Sequence, residues 1–419
     1  MATADLDSLI QGASQADFTV TTSADPARAG TLRVAGAEIE TPNLFPVLNF
    51  YAGGTDASMF GGGVHRTMKE FLAGHERIGG GDFTEFFDAV MTSVSSLTDY
   101  NITEERFESY MCTPIKQRSE FERFNGPLFV DSGGYKFLHN DGFDGADFHI
   151  EINQETALDM QRRMGADVII NLDQPIAPDD SYQERIAKAR ETAQNIAEFL
   201  RLSQDYEAAR YLSVHGYNYA MIDSFLDEVF DIIGPEIARR AFDGVALGGL
   251  VPKKDNKQVL VTAVSDCRQV LDDRGFRDVP FHVLGISNSS IPLLTALGVD
   301  TFDSMAYLHA AINGKYHKSL LEDVSYDEAN FEECGCPVCS DPDLVARMQG
   351  NAEYQKDILG PVAMHNLIIQ KREVADIRNR IVEDGRDGLI EYFDETIARN
   401  DRTRKVAHRV VNEYLGGYF

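Results

Sequence analysis

Short apolar runs recur along the chain, and each one ends in polar or glycine residues and is mostly followed by a helical pattern. Continuous apolar strands that alternate with helices are typical of a parallel sheet whose outer face is covered. Eight such runs predict an α/β fold, a closed (β/α)8 TIM barrel. The predicted strands cover residues 43–50, 89–98, 127–131, 167–173, 210–215, 244–249, 280–285 and 299–303.

The helical patterns and the remaining segments predict how the chain is organised. Apolar residues recur every three or four positions over residues 181–202, and the acidic start and arginine-bearing end of this segment suit a helix dipole. Residues 1–30 are predicted to form an acidic, helix-prone N-terminal segment followed by an irregular stretch that leads into the barrel. Residues 31–419 are predicted to form one barrel domain that ends in helices. The glycine-rich connection 51–88 exceeds a minimal barrel, and we expect it to move or to pack over the barrel mouth.

Three cysteines and one histidine near the end of the barrel pattern predict a metal site. The cysteines follow a C-x-C-x2-C pattern, and 25 residues separate the last of them from the histidine. These ligand types close a tetrahedral zinc site without an open position, so the predicted Zn2+ is structural. The alternative is a cluster of buried or redox-active thiols, which would not need a partner histidine. The predicted ligands are Cys334, Cys336, Cys339 and His365, in a zinc subdomain over residues 320–370 inserted after strand eight.

The composition places the chain in a reducing, aqueous compartment. Apolar residues make up 43% of it, and no run approaches the ~20 apolar residues of a membrane span. The acidic N-terminus lacks the basic and apolar regions of a signal peptide. Beyond the predicted metal ligands only Cys112 and Cys267 remain, which is no disulfide framework. We therefore expect a cytoplasmic protein without a membrane partner, in the host cytoplasm if the protein is viral.

The formal net charge of −28 counts at first sight against a nucleic-acid partner. However, acidic residues spread along the whole chain and only 12 of the 39 basic residues are lysines, a pattern typical of a salt-adapted, halophilic surface. In concentrated salt, phosphate contacts add little affinity, so net charge does not exclude a nucleic acid. Local basic clusters occur at residues 253–257, 371–372 and 399–409, although each could equally be a solvated helix face.

Polar residues end several of the predicted strands. In a (β/α)8 barrel the active site lies at the carboxyl ends of the strands, so these side chains should converge on one mouth. A single aspartate there could simply cap a helix, but three of them favour a functional site. The strand-end residues are Asp131, Asp173, His215, Gly248, Gly249 and Asp303.

This set of residues suits the recognition of a purine base. A carboxylate can accept hydrogen bonds from the adjacent N1–H and exocyclic amine of guanine, and backbone N–H groups beside glycine can approach O6 closely. An aromatic ring such as that of Tyr135 can stack on the flat face of the base. A further carboxylate could attack the anomeric carbon and hold a covalent sugar intermediate, as in retaining glycosidases.

Five sequence motifs occur together over residues 30–400. They are Asp131-Ser132-Gly133-Gly134-Tyr135, Gly248-Gly249-Leu250, Phe302-Asp303, the three cysteines with His365-Asn366-Leu367, and Thr41-Pro42. These motifs resemble those of the tRNA-guanine transglycosylase superfamily. The resemblance implies a zinc-containing barrel, a pentosyltransferase that exchanges guanine in a nucleic acid for a 7-deazaguanine base without breaking the strand.

The resemblance also implies roles for individual residues. Asp303 would be the nucleophile and Asp131 the general acid and base. Asp173 would read the guanine edge and Tyr135 would stack on the base. The remaining substrate-binding residues would be Ser132, His215, Gly248, Gly249 and Leu250. The family also implies a possible homodimer built partly on the zinc subdomain.

Four departures from the family pattern bear on the substrate. Ser304-Met305-Ala306 replaces a Pro-Thr-Arg stretch that helps to read RNA, and His215 replaces a glutamine. Lys253 and Lys254 stand near a position where bacterial enzymes carry a glutamate, which suits a neutral 7-substituent such as the nitrile of preQ0. From the end of the sequence at Phe419 we expect the extra C-terminal RNA-binding domains of archaeal tRNA enzymes to be missing.

These departures affect residues that help to recognise RNA, whereas Asp131 and Asp303 are retained. The pattern therefore favours DNA over tRNA as the substrate. The predicted function is DNA modification by a 7-deazaguanine DNA transglycosylase, which must flip its guanine out of the stack. One alternative is a divergent tRNA-guanine transglycosylase. Another is a non-catalytic, zinc-stabilised nucleic-acid-binding subunit.

Overall fold

Fifteen strands lie within the part of the chain that the computed structural model describes, which is residues 14–51, 62–79, 81–97, 101–134, 136, 142–286 and 288–417. They are β1 (Ala16–Ala24), β2 (Ala27–Val34), β3 (Ala37–Thr41), β4 (Asn43–Pro46), β5 (Val90–Ser93), β6 (Leu128–Asp131), β7 (Phe143–Asp144), β8 (His149–Ile150), β9 (Val168–Ile170), β10 (Ala209–His215), β11 (Gly244–Gly248), β12 (Phe281–Val283), β13 (Thr301–Ser304), β14 (Lys315–His317) and β15 (Asp323–Ser325).

Eight parallel strands form the central sheet, in the order β4-β13-β12-β11-β10-β9-β6-β5. A parallel bridge between Val47 and Met91 joins the two outer strands, and the Leu48 N–H donates to the Met91 carbonyl at 2.9 Å. The sheet is therefore a nearly closed barrel. Each of the eight predicted strands overlaps one of these strands, so the predicted (β/α)8 fold is confirmed.

Helices follow most of the barrel strands. In the described residues they are α1 (Gly62–Ala73), α2 (Glu104–Met111), α3 (Gln154–Met164), α4 (Tyr182–Leu202), α5 (Tyr219–Ile233), α6 (Pro235–Ala241), α7 (Lys257–Arg274), α8 (Ile291–Thr295), α9 (Ala306–Ile312), α10 (Pro342–Met348), α11 (Gln355–Tyr392) and α12 (Arg404–Glu413). Helix α11 is interrupted at Gly385, whose φ of 61° and ψ of −129° are not helical.

Helix α4 matches the segment predicted from the periodicity of residues 181–202. The Ser181 hydroxyl accepts a hydrogen bond from the Glu184 N–H, and the Glu184 carboxylate accepts one from the Ser181 N–H. This reciprocal capping box starts the helix because it satisfies two backbone donors that have no helical partner. Ala193 and Ile196 lie on the buried face of the helix.

The N-terminal segment differs from the prediction. Strands β1, β2 and β3 form an antiparallel sheet, so residues 16–34 are extended and not helix-prone, and position 30 falls inside β2. Residues 1–13 lie outside the described part of the chain. Leu32, Val34 and Ile39 of this sheet pack with barrel-interior side chains such as Phe129. Apolar burial therefore overrides the acidic, helix-prone composition and covers one end of the barrel.

Parts of the glycine-rich connection 51–88 are also structured. Its residues 62–73 form α1, which packs against α11. Residues 52–61 and 80 are outside the described ranges, so the prediction that this connection covers the mouth stays a prediction. The elements β14, β15 and α10 and the start of α11 follow the eighth barrel strand, as the sequence predicted for the inserted subdomain.

The basic cluster at residues 371–372 supports the fold. Lys371 on α11 is buried, and its ammonium group donates to Asn43 Oδ1 at 2.7 Å and to the Leu44 carbonyl at 3.1 Å, while also pairing with Asp88. This lysine anchors α11 to the start of β4 and is not available to a nucleic acid. Among the helices that the structure describes, none is both long enough and apolar enough to cross a bilayer.

A buried ion pair ties the N-terminal sheet to the barrel, and its loss should destabilise the protein. The Arg28 guanidinium on β2 contacts both carboxylate oxygens of Asp300 at 2.8 and 2.6 Å. We expect Arg28→Ala to cost about 3–5 kcal/mol in the free energy of unfolding, because it leaves a buried charge unpaired. Urea unfolding measures this cost.

Arg33 on the same strand provides the matched control. Its side chain is 47% exposed and pairs with Glu38, so Arg33→Ala should cost far less than Arg28→Ala. Equal costs for the two variants would show that the buried pair does not hold the sheet in place.

Candidate active site

Asp131 ends β6 at the carboxyl end of the barrel strands. Its Oδ2 accepts hydrogen bonds from the Gly133 N–H at 2.9 Å and from the Ser93 hydroxyl at 3.2 Å. Gly133 has φ of +76°, which glycine adopts without strain. Ser93 ends the neighbouring strand β5 and lies directly opposite Asp131 in the sheet. Two adjacent strand ends thus fix the orientation of this carboxylate.

Asp173 follows β9 and is buried. Its Oδ2 lies 2.6 Å from Nε2 of His215, and its Oδ1 accepts a hydrogen bond from the buried Ser132 hydroxyl at 3.3 Å. A Cβ atom on Gly134 would lie 2.7 Å from both the Asp173 carbonyl oxygen and Oδ1. Glycine is therefore needed at position 134 for the turn after β6 to pack against Asp173.

The ring of His215 connects Asp173 to the end of β11. A Cβ atom on Gly248 would lie 2.8 Å from Cε1 of this ring, and one on Gly249 would lie 3.0 Å from Nδ1. The two glycines allow the backbone to lie directly against the imidazole, and Leu250 after them is buried. Nδ1 is buried and has no hydrogen-bond partner among the described residues. Such an atom marks a place where a bound molecule could supply the partner.

Asp303 lies in β13, and only one of its two carboxylate oxygens is hydrogen-bonded within the described part of the chain. Its Oδ1 accepts a hydrogen bond from the Gly285 N–H at 2.8 Å and lies 3.1 Å from Nε2 of His282. The other ring nitrogen of His282 lies 2.8 Å from the Thr301 hydroxyl. Within the described ranges, Oδ2 of Asp303 has no hydrogen-bond partner. The carboxylate is therefore oriented while one oxygen stays available to a reacting atom.

Asp131 interacts electrostatically with the other two carboxylates. Burial, followed by the negative charges of Asp173 and Asp303, raises the pKa of Asp131 to about 7. The hydrogen bonds from Gly133 and Ser93 act in the opposite direction but do not cancel the shift. At neutral pH Asp131 is divided between its protonated and ionised forms, which suits a group that donates and accepts protons.

The structure brings together most of the predicted site residues. Asp131, Asp173 and Asp303 share one mouth, and Ser132, His215, Gly248 and Gly249 contact this group directly or through one side chain. Leu250 directly follows Gly249 in the sequence. Tyr135 lies outside the described residues, so its stacking role stays a prediction.

Sequence reasoning missed three residues that hold the carboxylates. Ser93 contacts Asp131, and His282 and Gly285 contact Asp303. His282 is buried, and its ring stacks near those of Phe45 and Phe129, with centroids 6.0 and 6.4 Å apart. A lone histidine inside the apolar run 280–285 was the signal that could have identified it, because a buried polar ring needs a partner. Ser93 and Gly285 carry no such signal in the sequence.

The four predicted metal ligands lie together. Their ligand atoms are all within 4.8 Å of one another, and Nδ1 of His365 is 3.7, 3.4 and 3.5 Å from the sulfur atoms of Cys334, Cys336 and Cys339. Nε2 of His365 lies 2.8 Å from the His317 carbonyl oxygen. That oxygen can only accept, so Nε2 carries the proton and the Nδ1 lone pair faces the thiols. This donor set fits a tetrahedral metal ion.

Comparison with known families gives one extended match. The model of the family described as "TGT: Queuine tRNA-ribosyltransferase" matches residues 87–399. The matched region contains the three aspartates, His215 and all four predicted metal ligands.

Similar proteins occur in several archaea, and the three relatives that follow are each named tRNA-guanine(15) transglycosylase. The protein of Archaeoglobus fulgidus is 28% identical over 270 residues, which cover 63% of this chain and 51% of the relative. That of Sulfolobus acidocaldarius is 25% identical over 409 residues, or 93% and 68% of the two chains. That of Methanosarcina mazei is 25% identical over 376 residues, or 88% and 64%. The chain thus spans about half to two thirds of the length of these relatives.

The raised pKa of Asp131 predicts a pH-dependent stability. Between pH about 4, where an unfolded aspartate ionises, and pH about 7, the folded protein holds a proton that the unfolded chain has lost. This contribution to stability is present below pH about 4 and is lost as pH rises towards 7, by up to about 1.4 kcal/mol per pH unit. Asp131→Asn cannot ionise, so its stability relative to wild type should rise across this window in urea unfolding.

The exposed Asp179 offers the control for this measurement. The stability of Asp179→Asn relative to wild type should stay constant over the same pH range. A constant difference for Asp131→Asn as well would contradict the proposed proton uptake at Asp131.

Proposed function

The chain belongs to the queuine tRNA-ribosyltransferase family, and we propose that it exchanges guanine in tRNA for a 7-deazaguanine base. The observation that carries this proposal is the arrangement of three interacting carboxylates, in which Asp303 keeps one oxygen free beside Asp131. Retaining glycosyl transfer needs one ionised nucleophile and one group that can carry a proton.

The choice of tRNA departs from the DNA preference that the sequence pattern favoured. The relatives that match this chain are named for tRNA, which supports the alternative over DNA. The replacement of Pro-Thr-Arg by Ser304-Met305-Ala306 stays unexplained by these relatives. We therefore retain DNA only as the second arm of the exchange test.

In the proposed reaction, Oδ2 of Asp303 attacks C1′ of the target guanosine and the C1′–N9 bond breaks. The bonding electron pair leaves with the guanine, which takes a proton from Asp131. A 7-deazaguanine then gives a proton to the Asp131 carboxylate and attacks C1′, which releases Asp303 and leaves the strand intact. The pKa of Asp131, raised to about 7, supports its use in both directions.

Asp173 is the proposed reader of the guanine edge. Each of its oxygens has one protein neighbour, from Ser132 or His215, and each retains a further lone pair for the N1–H and the amine of the base. Gly249 and Leu250 would bring backbone groups close to O6. Nδ1 of His215 beside Gly249, which has no partner among the described residues, supports a base bound at this place.

The 7-substituent and the metal complete the proposal. We propose a neutral substituent, as in preQ0, since Lys253 and Lys254 stand near the position where bacterial enzymes carry a glutamate. Zn2+ would hold the Cys334, Cys336, Cys339 and His365 cluster together and would take no part in the exchange. Cytoplasmic location, a halophilic surface and a homodimer stay predictions.

Base exchange tests the proposed function directly. Labelled guanine or 7-deazaguanine should enter a tRNA transcript in the presence of the wild-type protein. Asp303→Asn should lower the rate by at least about a thousandfold, because an amide is a poor nucleophile and the covalent intermediate is lost. If the wild-type protein incorporated the label only into duplex DNA and not into tRNA, the proposed tRNA substrate would be overturned.

A trapped covalent adduct separates the enzyme from the non-catalytic alternative. Wild type should form an adduct with tRNA that survives denaturing electrophoresis, and Asp303→Asn should not. A wild-type protein that binds tRNA without adduct or exchange would be a binding subunit.

Removal of one thiol tests the metal site. We expect Cys336→Ser to lose bound zinc and to unfold at a lower temperature, because the free energy of metal binding contributes to folding. Cys112→Ser is the control, since Cys112 is exposed and lies outside the cluster. Mass spectrometry of the native protein reports the metal content. Full zinc occupancy in Cys336→Ser would contradict the four-ligand site.

A further inference from the structure

Two of the basic clusters in the sequence come together in space. Lys253 and Lys257 flank the turn between β11 and α7, and Arg402 and Lys405 flank the start of α12. All four side chains line one surface groove of about 670 Å³. Close to 150 residues of chain separate the two clusters, so the fold and not the local sequence creates this group of charges.

These four cations lie close together with little compensating negative charge. In the described residues none of them forms an ion pair, although acidic residues outnumber basic ones by 67 to 39 in the chain. Asp255 also lines the groove and attracts Lys257, while Arg402 repels it. Burial, followed by these opposed influences, leaves the pKa of Lys257 below its usual value. Like charges held close together are costly unless an anion binds between them.

The groove is built on fixed backbone. The Lys253 N–H donates to the Leu250 carbonyl at 2.9 Å, so the lysine-bearing turn continues directly from the strand end at the active site. On the other wall, the Arg409 guanidinium on α12 donates to the Gln258 carbonyl and side-chain oxygen at 3.2 and 3.1 Å. The buried Thr403 hydroxyl donates to the Ile397 carbonyl at 2.6 Å. The two walls are therefore held to each other and to the barrel.

The groove is also close to the reacting base. Lys253 lies four positions after Gly249, and an extended chain of that length spans at most about 14 Å. Successive phosphates of a single strand are spaced by a few ångströms along its axis, about 3.4 Å in duplex form. A strand whose flipped nucleotide sits at Asp173 and Asp303 can thus reach the groove with phosphates only a few nucleotides away.

From this placement we propose that the groove formed by Lys253, Lys257, Arg402 and Lys405 binds the phosphodiester backbone of the tRNA beside the target guanosine. This inference rests on the proposed function and adds to it the surface that holds the flanking strand. The groove gives an otherwise acidic protein a local attraction for a polyanion. It carries no sequence information, because phosphate contacts position a strand without reading its bases.

The test compares two fourfold variants of the full-length protein. The groove variant is Lys253→Gln, Lys257→Gln, Arg402→Gln and Lys405→Gln. The control variant removes the same number of charges from exposed arginines outside the groove, on the N-terminal sheet and on segments that precede or follow the barrel strands. It is Arg33→Gln, Arg201→Gln, Arg240→Gln and Arg277→Gln. Circular dichroism and thermal unfolding establish that both variants fold.

Binding of a labelled tRNA transcript is measured by fluorescence anisotropy at several salt concentrations. The groove variant should bind at least about tenfold more weakly than wild type at ~0.1 M salt, and its slope of log K against log salt should be shallower by about 3, for four lost phosphate contacts. The control variant should retain the wild-type slope and stay within about twofold in affinity. A DNA strand of matched length forms a second arm that reports whether the groove distinguishes the two backbones.

Exchange kinetics separate failure of the groove from failure of the proposed function. For the kinetics, the triple variant Lys257→Gln, Arg402→Gln and Lys405→Gln keeps Lys253, which stands near the proposed 7-substituent. This triple variant should raise the KM for tRNA and leave kcat at saturating tRNA unchanged, because it touches only the flanking strand. Equal tRNA binding by the groove variant and wild type, with exchange intact, overturns the groove and leaves the function standing. No exchange and no tRNA binding by wild type overturns both. A change in self-association without a change in tRNA affinity assigns the groove to a second copy and also overturns the proposal.

Discussion

The burial of Asp131 beside two further carboxylates at the barrel mouth is the constraint around which the site is built. Asp131, Asp173 and Asp303 stand at strand ends that the parallel register brings to one edge. Each is held by a different set of partners, and the three sets leave different atoms free. Asp131 responds with a raised pKa, Asp173 is engaged on both oxygens, and Asp303 is engaged on one. Three identical side chains thus acquire three distinct chemical characters from their surroundings.

The two ends of the barrel differ in the side chains that cover them. At the amino ends of the strands, the sheet of β1, β2 and β3 covers the interior with apolar side chains and is secured by the Arg28–Asp300 pair. At the carboxyl ends, glycines 134, 248 and 249 keep the backbone close to Asp173 and His215. Apolar side chains therefore close one end of the barrel, and the carboxylates of the candidate site line the other.

The sequence predicted the barrel well because its strands are continuous apolar runs, and the metal ligands because their spacing is specific. Strand-end aspartates followed from the same pattern. The partners of these aspartates were less predictable: Ser93 and Gly285 are common residues whose role depends on strand register. The N-terminal sheet was missed because the composition of this segment is acidic and helix-prone. Its apolar residues, such as Leu32, Val34 and Ile39, become buried only when they pack against the barrel. The groove cations were visible as separate clusters, but their convergence depends on the fold of the 144 residues between Lys257 and Arg402.

Helix α11 connects the cysteine cluster to the strand that carries Asp303. His365 sits in the cluster, the next residue Asn366 bonds to the backbone of His317, Lys315 and Tyr307, and Lys371 one to two turns later holds Asn43 at the start of β4. Strand β4 pairs with β13, with Phe45 opposite Asp303. Oxidation of the thiols would therefore disturb more than the subdomain that contains them, because residues 365–371 of α11 link the cluster, through β4, to the strand that carries Asp303.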